Sequence, residues 1–150
     1  VLVKCPCDLV LETTSEGDFV WKSSNLDLGI NRHDSSQYPG LGNDYMVLKF
    51  CLNMTFTTSK PTSIQFLDPV LYNQVAYRIS PGLIQTYPKN CYNMNIVCLF
   101  PKIDARYYFQ YGDVIATLQF SEPVKKIIEK DLSNHASNQE RKKFYNEDKG

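Results

Sequence analysis

The amino-acid sequence predicts an all-β domain, and three of its features carry this prediction. The 150 residues include ten tyrosines and eight phenylalanines, and aromatic residues are enriched in strands. Short strand-like runs are separated by turn residues roughly every 8–12 positions, which is typical of a β-sandwich or a β-barrel. Residues 45–57 show the period of two that marks a strand with one buried face. The predicted core face of that strand consists of Met46, Leu48, Phe50, Leu52, Met54 and Phe56.

Length and charge narrow the class of protein further. A chain of 150 residues has the size of one domain and can bury a core, so we predict a single β domain over residues 1–132. Sixteen basic and sixteen acidic side chains give a formal net charge of zero, which removes the general attraction for a phosphate backbone. We therefore do not expect a nucleic-acid partner. A membrane partner is not expected either, because no apolar run reaches the roughly 20 residues that cross a bilayer.

The five cysteines do not match a metal site. Cys5 and Cys7 flank a proline, and six residues separate Cys91 from Cys98, so no paired Cys-x-x-Cys units occur. The odd number also fits poorly with a closed set of disulfides. The cysteines are therefore predicted to be reduced and not to bind a metal, which favours a reducing compartment of a host cell, with a virion as the alternative. No cofactor is expected.

The N-terminal part begins with strands. Residues 1–5 and 8–12 form either one strand bent at Pro6 or two short strands, because proline cannot donate to a β-ladder. Turn residues at 13–18 lead into a strand at 19–21, whose Trp21 is predicted to pack in the core because of its size.

Residues 23–44 lack a clear period and are predicted to form a long irregular loop. A loop of this length in a compact domain is usually functional. Aromatic and apolar side chains dominate protein contacts, so we name Tyr38, Leu41 and Tyr45 as candidate anchors for a protein partner. The alternative is a loop that folds onto its own core, and the sequence does not separate the two.

The following segments complete the predicted strands. Besides the strand at 45–57, strands are predicted at 64–67, 70–79 and 92–100, with a polar connection at 85–90. Two more strand-like runs meet at Gly112 and Asp113, which predicts a hairpin with one face in the core. These two runs are residues 107–111 and 114–120.

The C-terminal part has a different character. Ser121 and Pro123 resemble the start of a helix, and four apolar residues follow with helical spacing, so one short helix is predicted. These residues are Val124, Ile127, Ile128 and Leu132. Residues 133–150 are mostly polar and are predicted to form a mobile tail.

Two segments resemble the dUTPase and dCTP deaminase superfamily. Residues 114–120, which follow the Gly112-Asp113 turn, are similar to the last conserved segment of that superfamily. Residues 78–84 followed by 92–100 resemble the segment before it. The resemblance covers residues 78–120 and implies a dUTPase-like β-barrel or sandwich of the β-clip type, assembled as a homo-oligomer.

The groups that dUTPases use for catalysis are missing from the matching positions. Where the family has an aspartate after its glycine turn, this chain has Gln85, and an amide cannot act as a carboxylate base. Tyr87 matches the tyrosine that stacks under the sugar, but the phosphate-gripping Arg, Ser and Gly segment has no match. The resemblance therefore marks Gln85 and Tyr87 as remnants of a nucleotide pocket and implies a protein that is not an enzyme.

The resemblance implies a non-catalytic, dUTPase-like viral domain that binds host or viral proteins. Two alternatives stay open. A capsid or virion jelly roll would show the same rhythm of strands and turns, arranged in two four-stranded sheets. A divergent deoxynucleotide hydrolase would use Asp27, Asp104 or Asp113 with magnesium, although Asp113 is predicted to serve turn geometry.

Overall fold

The protein is built from antiparallel β-strands, as its sequence predicts. The computed structural model describes residues 1–25, 27–69 and 75–128. These residues form eleven strands and one 3-10 helix at Ser35–Gln37, and none of them lies in an α-helix. The strands are β1 (Leu2–Lys4), β2 (Leu9–Thr13), β3 (Phe19–Ser23), β4 (Gly29–Arg32), β5 (Tyr45–Phe56), β6 (Thr62–Leu67), β7 (Arg78–Ile79), β8 (Gly82–Thr86), β9 (Tyr92–Pro101), β10 (Ala105–Phe109) and β11 (Val114–Phe120).

The strands are arranged in three sheets. Their strand orders are β1-β11-β6-β8, β10-β2-β3 and β4-β5-β9-β7. The described residues form no closed barrel. The three-stranded sheet is also one more sheet than the jelly-roll alternative requires.

The predicted hairpin at Gly112 and Asp113 is wrong, because its two strands belong to different sheets. β10 pairs with β2, whereas β11 pairs with β1 and β6. The Asp113 N–H donates to the Gln110 carbonyl (3.0 Å), and Gly112 has a φ of 89°, so the turn itself is present. The turn is also hydrogen-bonded to Cys5. The Gly112 N–H donates to the Cys5 carbonyl (2.9 Å), and the Cys5 N–H donates to the Asp113 carbonyl (2.8 Å).

This turn is half of a corner that joins two sheets. Residues 5–8 bend the chain between β1 and β2, and residues 110–113 bend it between β10 and β11. Asp8 is fully buried at the corner, and its carboxylate accepts the Tyr111 N–H (2.9 Å). Of the two alternatives predicted around Pro6, the structure shows two short strands, β1 and β2, separated by the bend at residues 5–8.

The core lies between the sheets and is rich in aromatic rings. Phe50 and Phe100 stack with 5.9 Å between ring centroids, and the Phe109 ring meets Phe50 edge-on at 5.8 Å. These contacts join the sheet of β5 and β9 to the sheet of β10. The Tyr77 hydroxyl donates to the Ile115 carbonyl (2.8 Å) and so ties the core to β11.

The predicted core face of β5 is confirmed. Met46, Leu48, Phe50 and Leu52 are at most 2% exposed. Further along the strand the alternating residues Met54 and Phe56 are half-buried and pack against the same core.

Two segments are more regular than predicted. The segment 23–44 contains β4, which pairs with β5 and buries Ile30, so it is not one continuous loop. The predicted polar connection overlaps β8, where Gln85 pairs with Ser63 of β6. Neither strand is evident from the sequence, because both are short and place few apolar residues in the core.

The predicted C-terminal helix is not present in the part that the structure describes. Residues 121–128 contain neither helix nor strand. Val124, Ile127 and Ile128 are 44%, 56% and 69% exposed, so these apolar side chains have no core face to fix a helix. The rest of the predicted helix and the predicted tail at 133–150 lie outside the described residues, as do residues 70–74 of the predicted strand at 70–79. Among the described residues, no helix has the length and apolar character needed to cross a membrane.

Candidate interaction surface

β3 is a strand at the edge of its sheet. It pairs with β2 on one side, and no described strand pairs with its other side. We call this open side, formed by Phe19–Ser23, the β3 edge. An edge strand presents a row of backbone donors and acceptors that another strand can meet.

The hydrogen bonds of the β2–β3 ladder determine which backbone groups point outward. At its two ends, the Thr14 N–H donates to the Asp18 carbonyl (2.9 Å) and the Ser24 N–H donates to the Asp8 carbonyl (2.9 Å). Hydrogen-bonded and non-hydrogen-bonded pairs alternate in an antiparallel ladder, so odd-numbered residues of β3 turn their N–H and C=O groups outward. These residues are Phe19, Trp21 and Ser23.

The side chains of this strand are unusually apolar for an open edge. Val20 is 64% exposed and Trp21 is 37% exposed. The prediction that Trp21 packs in the core is therefore wrong: the side chain is exposed, because a residue of an edge strand has neighbours on one side alone. Native edges are usually protected by proline, by bulges or by several charges, and within Phe19–Ser23 only Lys22 is charged.

The start of the β3 edge is held in place by the neighbouring sheet. Arg32 of β4 donates from its guanidinium to the Gly17 carbonyl (2.6 Å) and lies 5.3 Å from the centroid of the Phe19 ring. Gly17 has a φ of 88°, a conformation that glycine adopts without strain. These contacts fix the turn before β3 and so preorganise the edge.

Of the three predicted loop anchors, Tyr38 and Leu41 are held by the protein itself. The Tyr38 hydroxyl accepts a hydrogen bond from the Ser80 hydroxyl (2.8 Å), and its ring meets the His33 ring edge-on at 6.1 Å. Leu41 is half-buried, and its N–H donates to the Tyr38 carbonyl (3.0 Å). This arrangement favours the alternative in which the loop packs onto its own fold.

Tyr45, the third predicted anchor, is more accessible. It opens β5 and is 39% exposed. It lines a cleft of about 390 Å³ together with Asp44, which precedes it, and with Lys102 and Ile103 at the turn between β9 and β10. Ile103 is 48% exposed. Four of the seven residues that line the cleft are polar or charged, namely Ser15, Asn43, Asp44 and Lys102.

The two predicted remnants of a nucleotide pocket lie in or next to β8. The Gln85 side-chain oxygen accepts a hydrogen bond from the Ser63 hydroxyl (2.6 Å). Tyr87 is 53% exposed, and its N–H donates to the Tyr92 hydroxyl (2.7 Å). Neither residue lines the cleft beside Tyr45 or the cleft formed by Val1 and residues 124–127.

The aspartates considered for a magnesium-dependent reaction serve separate turns. The Asp104 carboxylate accepts the Ser15 N–H (3.0 Å), and the Asp113 carboxylate accepts the Gln110 N–H (2.9 Å). The predicted role of Asp113 in turn geometry is thus confirmed. Asp27 is exposed, and within residues 1–25, 27–69 and 75–128 no three His, Cys, Asp or Glu side chains are grouped as a metal site would require.

Two buried thiols lie at the corner between the sheets. The Cys5 thiol donates to the Cys7 carbonyl (3.1 Å). A hydrogen bond between the side chains of Cys5 and Cys7, followed by burial, raises the pKa of Cys5 well above its usual range, and the same side-chain bond lowers the pKa of Cys7. None of the five cysteines is joined in a disulfide.

The fold and this surface define an all-β domain with an apolar, preorganised strand edge. Comparisons with models of protein families, with characterised proteins and with solved structures find no match to the chain.

Proposed function

We propose that the protein is an interaction domain that binds a protein partner by accepting an extended strand along the β3 edge. The observation that carries this proposal is the coincidence of outward backbone groups at Phe19, Trp21 and Ser23 with exposed apolar side chains at Val20 and Trp21. In strand addition, main-chain hydrogen bonds supply affinity and alternate side chains supply specificity. The β3 edge offers both.

The side chains of the β3 edge also indicate which residues a bound partner strand should carry. An added strand meets Val20 on the outer face of the sheet and Phe19 and Trp21 on the other face, because side chains alternate along β3. We therefore expect a partner segment with an apolar residue opposite Val20 and with aromatic or branched residues opposite Phe19 and Trp21.

The resemblance to dUTPases extends the proposal to the class of protein and to the kind of partner. On that resemblance the protein is a non-catalytic, dUTPase-like viral domain whose partners are host or viral proteins. Gln85 supports the absence of dUTPase chemistry, because its amide lacks the required carboxylate and is engaged with Ser63.

The test of the proposed function is selection of short random peptides displayed on phage against the whole protein. Selected peptides should protect the amide hydrogens of Phe19, Trp21 and Ser23 from exchange with deuterium, because those groups become hydrogen-bonded to the peptide. Their affinity should fall about tenfold or more in Val20→Lys, which places a charge in the contact.

Leu83→Lys is the matched control. Leu83 is 72% exposed on β8, which is also an edge strand, so this variant makes the same chemical change on another sheet. Peptide affinity should stay at the wild-type value. Selected peptides that bind Val20→Lys as well as wild type, or that protect amides elsewhere, would contradict the proposal.

A further inference from the structure

We infer that the strand accepted at the β3 edge is β3 of a second copy, paired antiparallel in the register that places Val20 opposite Val20 of the other copy; this rests on the proposed use of the β3 edge. The two chains would then be related by a twofold axis through the Val20 pair. Such an axis uses the same surface of each chain and closes the assembly at two copies.

The backbone supports this register. A strand added to β3 must bond to the outward groups of Phe19 and Trp21. With Val20 at the axis, Phe19 of each copy faces Trp21 of the other as a hydrogen-bonded pair, and the Val20 pair is non-hydrogen-bonded, where side chains are closest. The two three-stranded sheets would become one continuous sheet with the order β10-β2-β3-β3-β2-β10.

The charges select this register over its neighbours. Asp18 and Lys22 are both exposed and stand two residues before and after Val20, so their side chains share its face. The axis at Val20 brings Asp18 of each copy opposite Lys22 of the other, which gives two ion pairs around an apolar centre. An axis at Trp21 would instead place Lys22 opposite Val20, and an axis at Lys22 would place two lysines opposite each other.

The side chains on the other face are also matched. Phe19 and Trp21 lie on that face and would form two aromatic pairs across the axis, one on each side. Trp21 is 37% exposed in the single chain, and a second β3 supplies the neighbour that the edge position lacks.

The experiment uses charge reversal in the full chain. Wild-type protein should rise from the 17.3 kDa of one chain to about twice that mass in sedimentation velocity as its concentration increases through roughly 10 μM to 1 mM. Asp18→Lys and Lys22→Glu each turn both cross-chain ion pairs into repulsions. Each variant alone should therefore dimerise at least about tenfold more weakly than wild type.

Mixing the two variants shows whether a single variant fails to dimerise because of charge repulsion in the inferred register or because it is misfolded. A chain with Asp18→Lys facing a chain with Lys22→Glu places opposite charges together at both ends, so the equimolar mixture should form a one-to-one dimer, detectable by native mass spectrometry. The double variant Asp18→Lys/Lys22→Glu should also recover dimerisation by itself. Recovery in the mixture requires that both single variants are folded.

Three results would overturn the inferred dimer. They are a wild-type protein that remains monomeric up to about 1 mM, single variants that dimerise as tightly as wild type, and a mixture of single variants that gives no mixed dimer. The proposed function is tested separately, since peptides that protect the amides of Phe19 and Trp21 in a monomeric protein would support strand addition while the second copy is ruled out as the partner. Failure of both experiments would remove the β3 edge as a binding surface.

Discussion

Asp8 shows how one residue can fix the relation between two sheets. Its carboxylate is fully buried and accepts the Tyr111 N–H, while its backbone exchanges bonds with Ser24 at the end of β3. A buried carboxylate is stable only where such partners compensate for its lost hydration. Asp8 thus connects the corner at residues 110–113 to the strand that forms the candidate surface.

Asp8→Ala should lower the free energy of unfolding by about 1–3 kcal/mol, because the Tyr111 N–H is left without this acceptor. Urea denaturation followed by tryptophan fluorescence measures the change. Asp27→Ala is the control, since this exposed aspartate should be neutral within about 0.5 kcal/mol. Equal losses in the two variants would show that the corner does not depend on Asp8.

At the level of strands and turns, the sequence predicts which face of a strand is buried better than it predicts which strands pair with each other. The alternation of Met46, Leu48, Phe50 and Leu52 is a local property of the chain, and the structure buries all four. Which strands are neighbours is decided by residues far apart in sequence. The turn at Gly112 is evident from its residues, but its strands pair with β1, β2 and β6, and no local signal encodes that choice.

The β3 edge could not be predicted from the sequence for the same reason: the order of strands in a sheet is decided by residues far apart in the chain. Phe19 to Trp21 are recognisable as a strand, and size alone places Trp21 in the core. The position of β3 at a sheet edge exposes both Val20 and Trp21, and edge position depends on the order of the whole sheet. The loop candidates Tyr38 and Leu41 illustrate the converse, because the bond between Tyr38 and the distant Ser80 holds that loop down.

The turn at Gly112 supports a prediction at this level. Gly112 has a φ of 89°, and no atom lies within 4 Å of the position that an alanine methyl group would take, so Gly112→Ala should cost about 1–2 kcal/mol of stability through backbone strain alone. Gly40→Ala is the matched control, because Gly40 has the same open surroundings without a positive φ. It should be neutral or stabilising by up to about 1 kcal/mol. Thermal unfolding of both variants measures the difference, and a loss at Gly40 equal to that at Gly112 would refute the strain argument.

For the whole molecule, the buried tyrosine hydroxyl and thiols of the core make the free energy of unfolding depend on pH in the alkaline range. Burial raises the pKa of Tyr77 and of Cys98, and the hydrogen bond between the side chains of Cys5 and Cys7, together with burial, raises that of Cys5. A group whose pKa is raised on folding stabilises the protein fully below its unfolded pKa, which is about 8.5 for a thiol and about 10 for a phenol. The lowered pKa of Cys7 acts in the opposite direction and offsets part of the effect.

Stability should therefore fall as pH rises above about 8.5, because the unfolded chain releases protons that the folded chain retains. The slope contributed by each fully protonated buried group is about 1.4 kcal/mol per pH unit. Urea denaturation between about pH 7 and 10.5 should show this decline, and Cys98→Ala should make it shallower whatever its effect at neutral pH. A stability that does not change over this range, or a slope unaltered in Cys98→Ala, would contradict the assignment.

The pairing of β1 with β11 has a consequence for biosynthesis. The Val1 amino group donates to the Leu118 carbonyl (3.1 Å), and residues 2–4 pair with residues 114–117. At a translation rate of roughly 5–20 residues per second, about 6–20 s pass between the synthesis of β1 and the synthesis of its partner strand β11. During that interval the corner cannot close, so the thiols of Cys5 and Cys7, which are buried in the finished fold, are accessible to alkylation or oxidation in the nascent chain.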